Sequence, residues 1–361
     1  MEPVTHFLTG ACLSRTGFNR KTGLATAAMT LAAEAPDIDM LYYLGGSDVG
    51  FVHHRGFTHT LWGVPLVAAA VVAFLYVLRK VWFRLRPEAE QRSRTKLPVR
   101  WGLLYAFACI SGFSHILLDF TNNYGVRPLW PFLNRWFSWD IVFIVEPLIL
   151  LALTAALLLP ALFGLVNTEI GARDRGPRGR GAAIAALAFV VLLWGVRDYQ
   201  HRRAVAALDA LEYQGEVPIR IGAYPTHTNP FVWHGVVETA TAFHTMKVDS
   251  RAPMVDPEGR ELVYYKSPDT EITRAAKASY LGRAYIDWSR FPVIEAFDKQ
   301  APEAGHSVRF RDLRFLSPER GRSPLAAFVE LDPSLRVVDQ GFEDRNVVHD
   351  RLDNRSMPGG E

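Results

Sequence analysis

The sequence predicts a mainly α protein in two parts: a polytopic helical membrane domain with a metal site over residues 1–197, then a soluble α+β domain over residues 198–361. Three observations predict this. Long apolar runs are confined to the first part. The second part has the mixed charge and scattered aromatics of a water-facing domain, and His and Asp residues gather where the apolar runs end. Over the whole chain 49% of residues are hydrophobic and the net charge is +3, averages that conceal the division.

Four runs are candidate spans: Leu61–Phe83, Trp101–Phe120, Ile141–Val166 and Ala182–Val196. A helix needs about 20 apolar residues to cross a bilayer. Val4–Leu13 and Leu24–Ala35 are too short, and are expected to form a re-entrant helical hairpin packed against the longer helices. The connection after the first run carries Arg79, Lys80, Arg84, Arg86, Arg92, Arg94, Lys96 and Arg100 against Glu88 and Glu90. The connection after the third carries Arg173, Arg175, Arg178 and Arg180. Basic loops stay cytoplasmic, and one topology places both there. The hairpin turn, with Arg15, Arg20 and Lys21, then also points inward. Residues 36–60, residues 121–139 and the C-terminal domain are left outside the cytoplasm, and Trp130–Trp139 is expected to form an interfacial aromatic belt.

In the C-terminal part, an amphipathic helix is expected around Arg202–Leu211. Strands are expected at Phe231–Glu238 and Glu261–Tyr265, with turns at Asp256-Pro257 and Glu258-Gly259 and a disordered Pro358–Gly360 tail. His227, His234 and His244 lack ligand-like spacing and are expected to be structural or surface residues. The basic residues flank apolar runs instead of lining one soluble face, which argues against nucleic acid as a partner and for the lipid bilayer. Cys12 and Cys109 both lie in apolar stretches, so there is no disulfide framework and no paired-thiolate metal motif. A metal must use His and carboxylates.

Four elements carry such residues: His6, Pro36-Asp37-Ile38-Asp39, the run His53-His54-Arg55-Gly56-Phe57-Thr58-His59, and His115 with Asp119. All fall on the outer side of the expected topology. His115 and Asp119, four apart on a helix, project from one face and can bind one metal or bridge two. Ionisable groups at membrane depth are costly unless paired or coordinated. Imidazole and carboxylate without thiolate suit a catalytic divalent ion: zinc first, with manganese or iron as alternatives. The candidate ligands are His6, Asp39, His54, His59, His115 and Asp119. Asp37 is the candidate proton acceptor, although spacing leaves open which of Asp37 and Asp39 ligates. Arg55 is expected to hold an anionic group in a bidentate fork, and Thr58 to orient it or a ligand. The bland readings are that Asp37 and Asp39 cap a helix starting near Met40, and that His115 and Asp119 bond two membrane helices together.

In this order the elements resemble the YdjM-type family of predicted membrane-bound, metal-dependent hydrolases, over roughly the first 135 residues. That family's early His, Pro-Asp-Ile-Asp, His-Arg-Gly-Phe-Thr-His, Ser-His-Ile-Leu-x-Asp and Pro-Leu-Trp-Pro-like elements match His6, Asp37 with Asp39, His54 to His59, His115 with Asp119, and Pro128 to Pro131. The resemblance implies metal-dependent hydrolysis at a bacterial-type inner membrane. A weaker similarity of spacing to zinc-dependent phospholipases C implies a phosphoester, such as a phospholipid or another amphipathic ester. The competing expectations are an ion or metal transporter component, and a membrane anchor displaying the C-terminal domain. A transporter is expected to carry polar residues through several spans, whereas Leu61–Phe83 and Ala182–Val196 are almost wholly apolar.

Overall fold

Pro3 opens the first helix, α1 (Pro3–Arg15), where its fixed φ suits a helix start, and the Glu2 carboxylate caps it by accepting the Thr5 N–H at 2.9 Å. The computed structural model describes residues 1–88, 97–169, 179–226, 229–252, 254–299, 304–316 and 323–343. Glu90, Arg92, Arg94, Lys96, Arg173, Arg175, Arg178, His227 and the Pro358–Gly360 tail lie outside the described residues. Two compact units are present: Met1–Met40 with Arg55–Asp198, and Leu41–His54 with the chain from Tyr199 onward.

In the first unit α1 and α2 (Ala25–Glu34) form the expected hairpin. Gly10 makes their contact possible, because a Cβ there would sit 2.6 Å from the Met29 carbonyl oxygen and 2.7 Å from the Ala33 Cβ. The longer helices are α4 (Gly63–Leu85), α5 (Trp101–Thr121), α6 (Pro147–Glu169) and α7 (Arg180–Asp209). Of these, α4, α5 and α7 are long and apolar enough to cross a membrane, and Pro147–Phe163 is a shorter apolar helical stretch. Helices α2, α4 and α5 meet through Ala32, Ala68 and Ala108, small side chains that let backbones approach where lipid removes the hydrophobic drive to associate. Cys12 of α1 packs with Leu118, Ile149, Leu153, Ala183 and Val190, joining α1 to α5, α6 and α7.

Two boundaries differ from expectation. The third apolar run becomes helical only at Pro147, because the Ile141 and Val142 N–H groups instead donate to the Thr121 carbonyl at 3.0 and 3.2 Å. The last span does not stop at Val196. With no Pro or Gly from Arg197 to Asp209, α7 runs on, and the expected amphipathic helix is its final part.

The second unit has the expected α+β character. One sheet has β1 (Arg220–Pro225), β2 (Val232–Glu238), β3 (Ala242–Asp249) and β4 (Met254–Val255) in that order, with β5 (Leu262–Tyr265) also on β3. The other is β6 (Pro292–Asp298), β7 (His306–Asp312), β8 (Ala327–Leu331) and β9 (Val337–Phe342). All pairings are antiparallel. Ala204 and Leu208 of α7 pack on Trp233, Val237, Met246 and Val248 of the first sheet. Tyr224, Val236, Phe243 and Tyr264 meet Phe291, Val293, Leu313 and Leu316 to join the sheets. Two short helices, α8 (Glu271–Ala278) and α9 (Tyr280–Trp288), precede β6, capped by Thr270 and Ser279.

Two buried polar groups tie this unit together. His234 donates from Nε2 to the Leu313 carbonyl at 2.8 Å, and burial holds its pKa below the ordinary value. The fully buried Asp312 accepts from Ser289 Oγ (2.6 Å), the Arg290 N–H (2.8 Å) and the Arg314 guanidinium (2.8 Å). His244 is also buried and bonds Glu261 at 2.5 Å, so both described histidines of this set are structural. A histidine kept neutral by folding makes the unfolded chain the better proton binder below pH about 6.5. Stability is therefore expected to fall as pH drops through that value, by up to about 1.4 kcal/mol per unit. The check is a lower urea midpoint for this unit at pH 5 than at pH 7 that shrinks in His234→Gln, which keeps a donor for Leu313 without the titration.

Candidate metal centre

Three elements of the first unit bring the sequence-selected residues together. Asp37 and Asp39 lie on a 3₁₀ helix (Ala35–Gly45) that follows α2 directly, His59 ends a short 3₁₀ turn (Phe57–His59), and His115 and Asp119 lie on one face of α5. A 3₁₀ helix has three residues per turn, so carboxylates two apart point in different directions. Asp37 turns toward His59 and His115. Asp39 turns to the far side of the His59 ring.

Asp37, His59, His115 and Asp119 each offer one donor atom, all within 4.8 Å of one another, and the group can hold a metal ion. His59 Nε2 lies 3.1 Å from His115 Nε2, 3.3 Å from Asp37 Oδ1 and 3.7 Å from Asp119 Oδ2. His115 Nε2 lies 3.5 Å from both carboxylates. Four ligands around zinc at about 2.05 Å would stand about 3.3 Å apart along the tetrahedron's edges. The five separations that involve a histidine, 3.1 to 3.7 Å, bracket that figure, and all four donors lie within 4.8 Å of one another.

Each imidazole has a partner on its far side. His115 Nδ1 donates to the Ala33 carbonyl at 2.7 Å, and His59 Nδ1 faces Asp39 Oδ2 at 3.1 Å. On the inner side the two Nε2 atoms approach each other at 3.1 Å. Two imidazole nitrogens and two carboxylates converging on one point are donors that a cation could join. Asp119 Oδ2 is buried with no hydrogen-bond partner of its own, as a ligand atom would be. The donor set fits a divalent ion.

The surrounding residues hold the four donors. Asp39 Oδ2 also accepts the Arg55 N–H (2.8 Å) and Thr58 Oγ1–H (3.4 Å). The Arg55 guanidinium is buried. It donates to Asp119 Oδ1 (2.8 Å) and the Gly125 carbonyl (2.6 Å), approaches Asn122 Oδ1 (3.4 Å), and lies over the Tyr124 ring at 4.6 Å. His6 is buried and stacks on His115 with centroids 3.7 Å apart; its Nε2 is 3.5 Å from Asp119 Oδ1, which also receives the Met1 amino group. His53 and His54 are not among the four donors; they pack on Tyr42 (4.4 Å) and Tyr43 (6.4 Å).

Sequence reasoning passed over Glu34, Ala33 and Asn122. Glu34 ends α2 half-buried, its Oε2 shielded and without a hydrogen-bond partner. Its carboxyl is pushed up to about 7, first by burial and then by the charges of Asp37 and Glu2. Asn122, three residues beyond Asp119, was signalled only by a polar Asn-Asn pair at the helix end. The Ala33 carbonyl leaves no trace in residue identity.

The fold and this group define a membrane protein with a His/Asp centre able to hold a metal ion. The family model described as "YdjM inner membrane protein" matches residues 1–204, over half of the chain, and the chain belongs to that family. It is also similar to a protein of Bacillus subtilis (strain 168) described as "Uncharacterized protein YfhP", 24% identical over 349 residues that cover 93% of each chain. No solved structure matches.

Proposed function

We propose that the protein is a metal-dependent hydrolase of the inner membrane, with its centre and C-terminal domain on the extracytoplasmic side, acting on a phospholipid or another amphipathic ester. The observation that carries the reading is the convergence of four His/Asp donors within 4.8 Å, with both histidines turned Nε2-inward by partners on their Nδ1 sides. The domain division at 197/198 belongs to the same proposal, with Leu41–His54 assigned to the second domain.

Asp37, His59, His115 and Asp119 would hold the ion, and zinc suits these nitrogen and oxygen donors best, with manganese and iron next. Bound there, a divalent ion supplies Lewis acidity that polarises an ester oxygen and makes water nucleophilic near neutral pH. Asp39 and Thr58 orient His59, and Arg55 orients Asp119 while balancing its charge. In this assignment Asp37 becomes a ligand instead of the proton acceptor, Asp39 orients a ligand instead of being one, and Arg55 acts on a ligand instead of on substrate. His6 supports His115 by stacking. With Asp37 and Asp39 so engaged, Glu34, half-buried at the end of α2 three residues before Asp37, is the proposed proton acceptor.

The test is hydrolysis of chromogenic phosphodiesters and carboxylic esters by the detergent-purified protein loaded with zinc or manganese. Glu34→Gln should keep its metal while losing about 100-fold or more in rate, the scale of a general acid–base contribution. Turnover that is the same with and without metal, or absent for every ester class, would reject the hydrolase reading.

A further inference from the structure

Between Asp39 and Arg55 the chain leaves the first unit and joins the second. Leu41–His54 belongs with the C-terminal sheets, although both flanking segments carry residues of the His/Asp centre. The excursion is stiff. Tyr42 stacks on His53 at 4.4 Å, and Gly50 admits the Tyr43 ring so closely that a Cβ would lie 2.3 Å from it. Its short helix α3 (Ser47–His53) inserts Phe51, 5% exposed, among Tyr285 (5.8 Å), Trp288 (5.2 Å) and Phe342 (4.9 Å). These belong to α9 and β9, so the anchor is part of the C-terminal core.

The two ends of the excursion are clasped together, the Arg55 N–H donating to Asp39 Oδ2 at 2.8 Å, with Arg55 at φ 54° turning the chain back. Those same two residues orient the ligands. Asp39 holds His59 Nδ1, and the Arg55 side chain holds Asp119 Oδ1. Any shift of the excursion therefore acts first on the groups that aim two of the four donors.

We infer that Leu41–His54 is a positioning segment through which the C-terminal domain, gripping Phe51, sets the geometry and hence the metal affinity of the His/Asp centre. The inference rests on the metal-centre reading above. It gives the C-terminal domain a role in the chemistry without lending it a ligand.

The experiment is a zinc competition titration, against a chromophoric chelator, of the full-length protein in detergent. Phe51→Ala is expected to weaken zinc binding about tenfold or more, the scale seen when groups that orient ligands are lost. Met246→Ala, a cavity in the first-sheet core away from Phe51, is expected to leave affinity unchanged. Phe51→Leu, a milder change for use if the alanine variant does not fold, should weaken zinc binding to a smaller degree. Wild-type affinity in the Phe51 variants, or equal weakening by Met246→Ala, would overturn the positioning role. A wild type whose zinc binding is untouched by Asp37→Ala would instead reject the metal centre, and this inference with it.

Discussion

Replacing His115 and Asp119 together by alanine is expected to take metal content, measured by elemental analysis of detergent-purified protein, from near-stoichiometric to background. The pair supplies two of the four converging donors, one nitrogen and one anionic oxygen, from a single helix face. The remaining Asp37 and His59 offer two donors, below the three protein ligands of catalytic zinc sites. Hydrolysis should vanish with the metal. Alanine at 119 also strips the buried Arg55 guanidinium of the carboxylate at 2.8 Å, and removing one partner of a buried ion pair costs up to about 3–5 kcal/mol. Asp119→Asn separates the effects, because it keeps the shape and one oxygen but not the charge. Metal loss with normal yield in the Asn variant means a ligand was removed; equal metal in wild type and double variant would dismantle the proposed centre.

Asp312→Ala is expected to destabilise the C-terminal unit by about 3–5 kcal/mol, the cost of breaking a buried ion pair by deleting one partner. Arg314 would keep its charge inside the core, its guanidinium 4.4 Å above the Trp288 ring, while Ser289 and the Arg290 N–H lose their acceptor. Burial works against ionisation of Asp312, but the Arg314 charge and the hydrogen bonds prevail and hold its pKa below the ordinary value. A depressed carboxyl stabilises the fold above its unfolded value, near 3.9, and the contribution disappears only as pH falls through the lower folded value. The acid range set by Asp312 thus lies below the one set by His234. Hydrogen exchange of residues 289–316 in the full chain reads the effect; protection unchanged in the alanine variant would show the network to be dispensable.

The apolar runs made the membrane helices legible, since length and hydropathy are local properties. The metal-centre residues were legible for a similar reason: His and Asp are conspicuous against lipid-facing sequence. Their division of labour was not. Spacing leaves open which of Asp37 and Asp39 faces the histidines, and the contacts made by the 3₁₀ helix Ala35–Gly45 decide it. His54 drew attention by adjoining Arg55, yet the left-handed backbone at Arg55 sends the two residues into different units. The capture of Phe51 depends on residues more than 230 positions away, a packing relation that no local pattern encodes. Continuity of α7 past Val196 is readable from the lack of a helix breaker, but the change from apolar to charged residues there resembles a boundary.

Two imidazole nitrogens and two carboxylates converge at the centre, donors that a bound cation would tie together. By mass action, an ion that binds only the folded form adds about 2.7 kcal/mol of stability at a free concentration of one hundred times its Kd. If the proposed centre is loaded in the cell, metal supply would act as a quality control on biogenesis. Cells starved of the ion would hold a chain that inserts into the membrane but stays prone to local opening around α5, open to membrane proteases, and the protein's abundance would report the metal status of the compartment its centre faces.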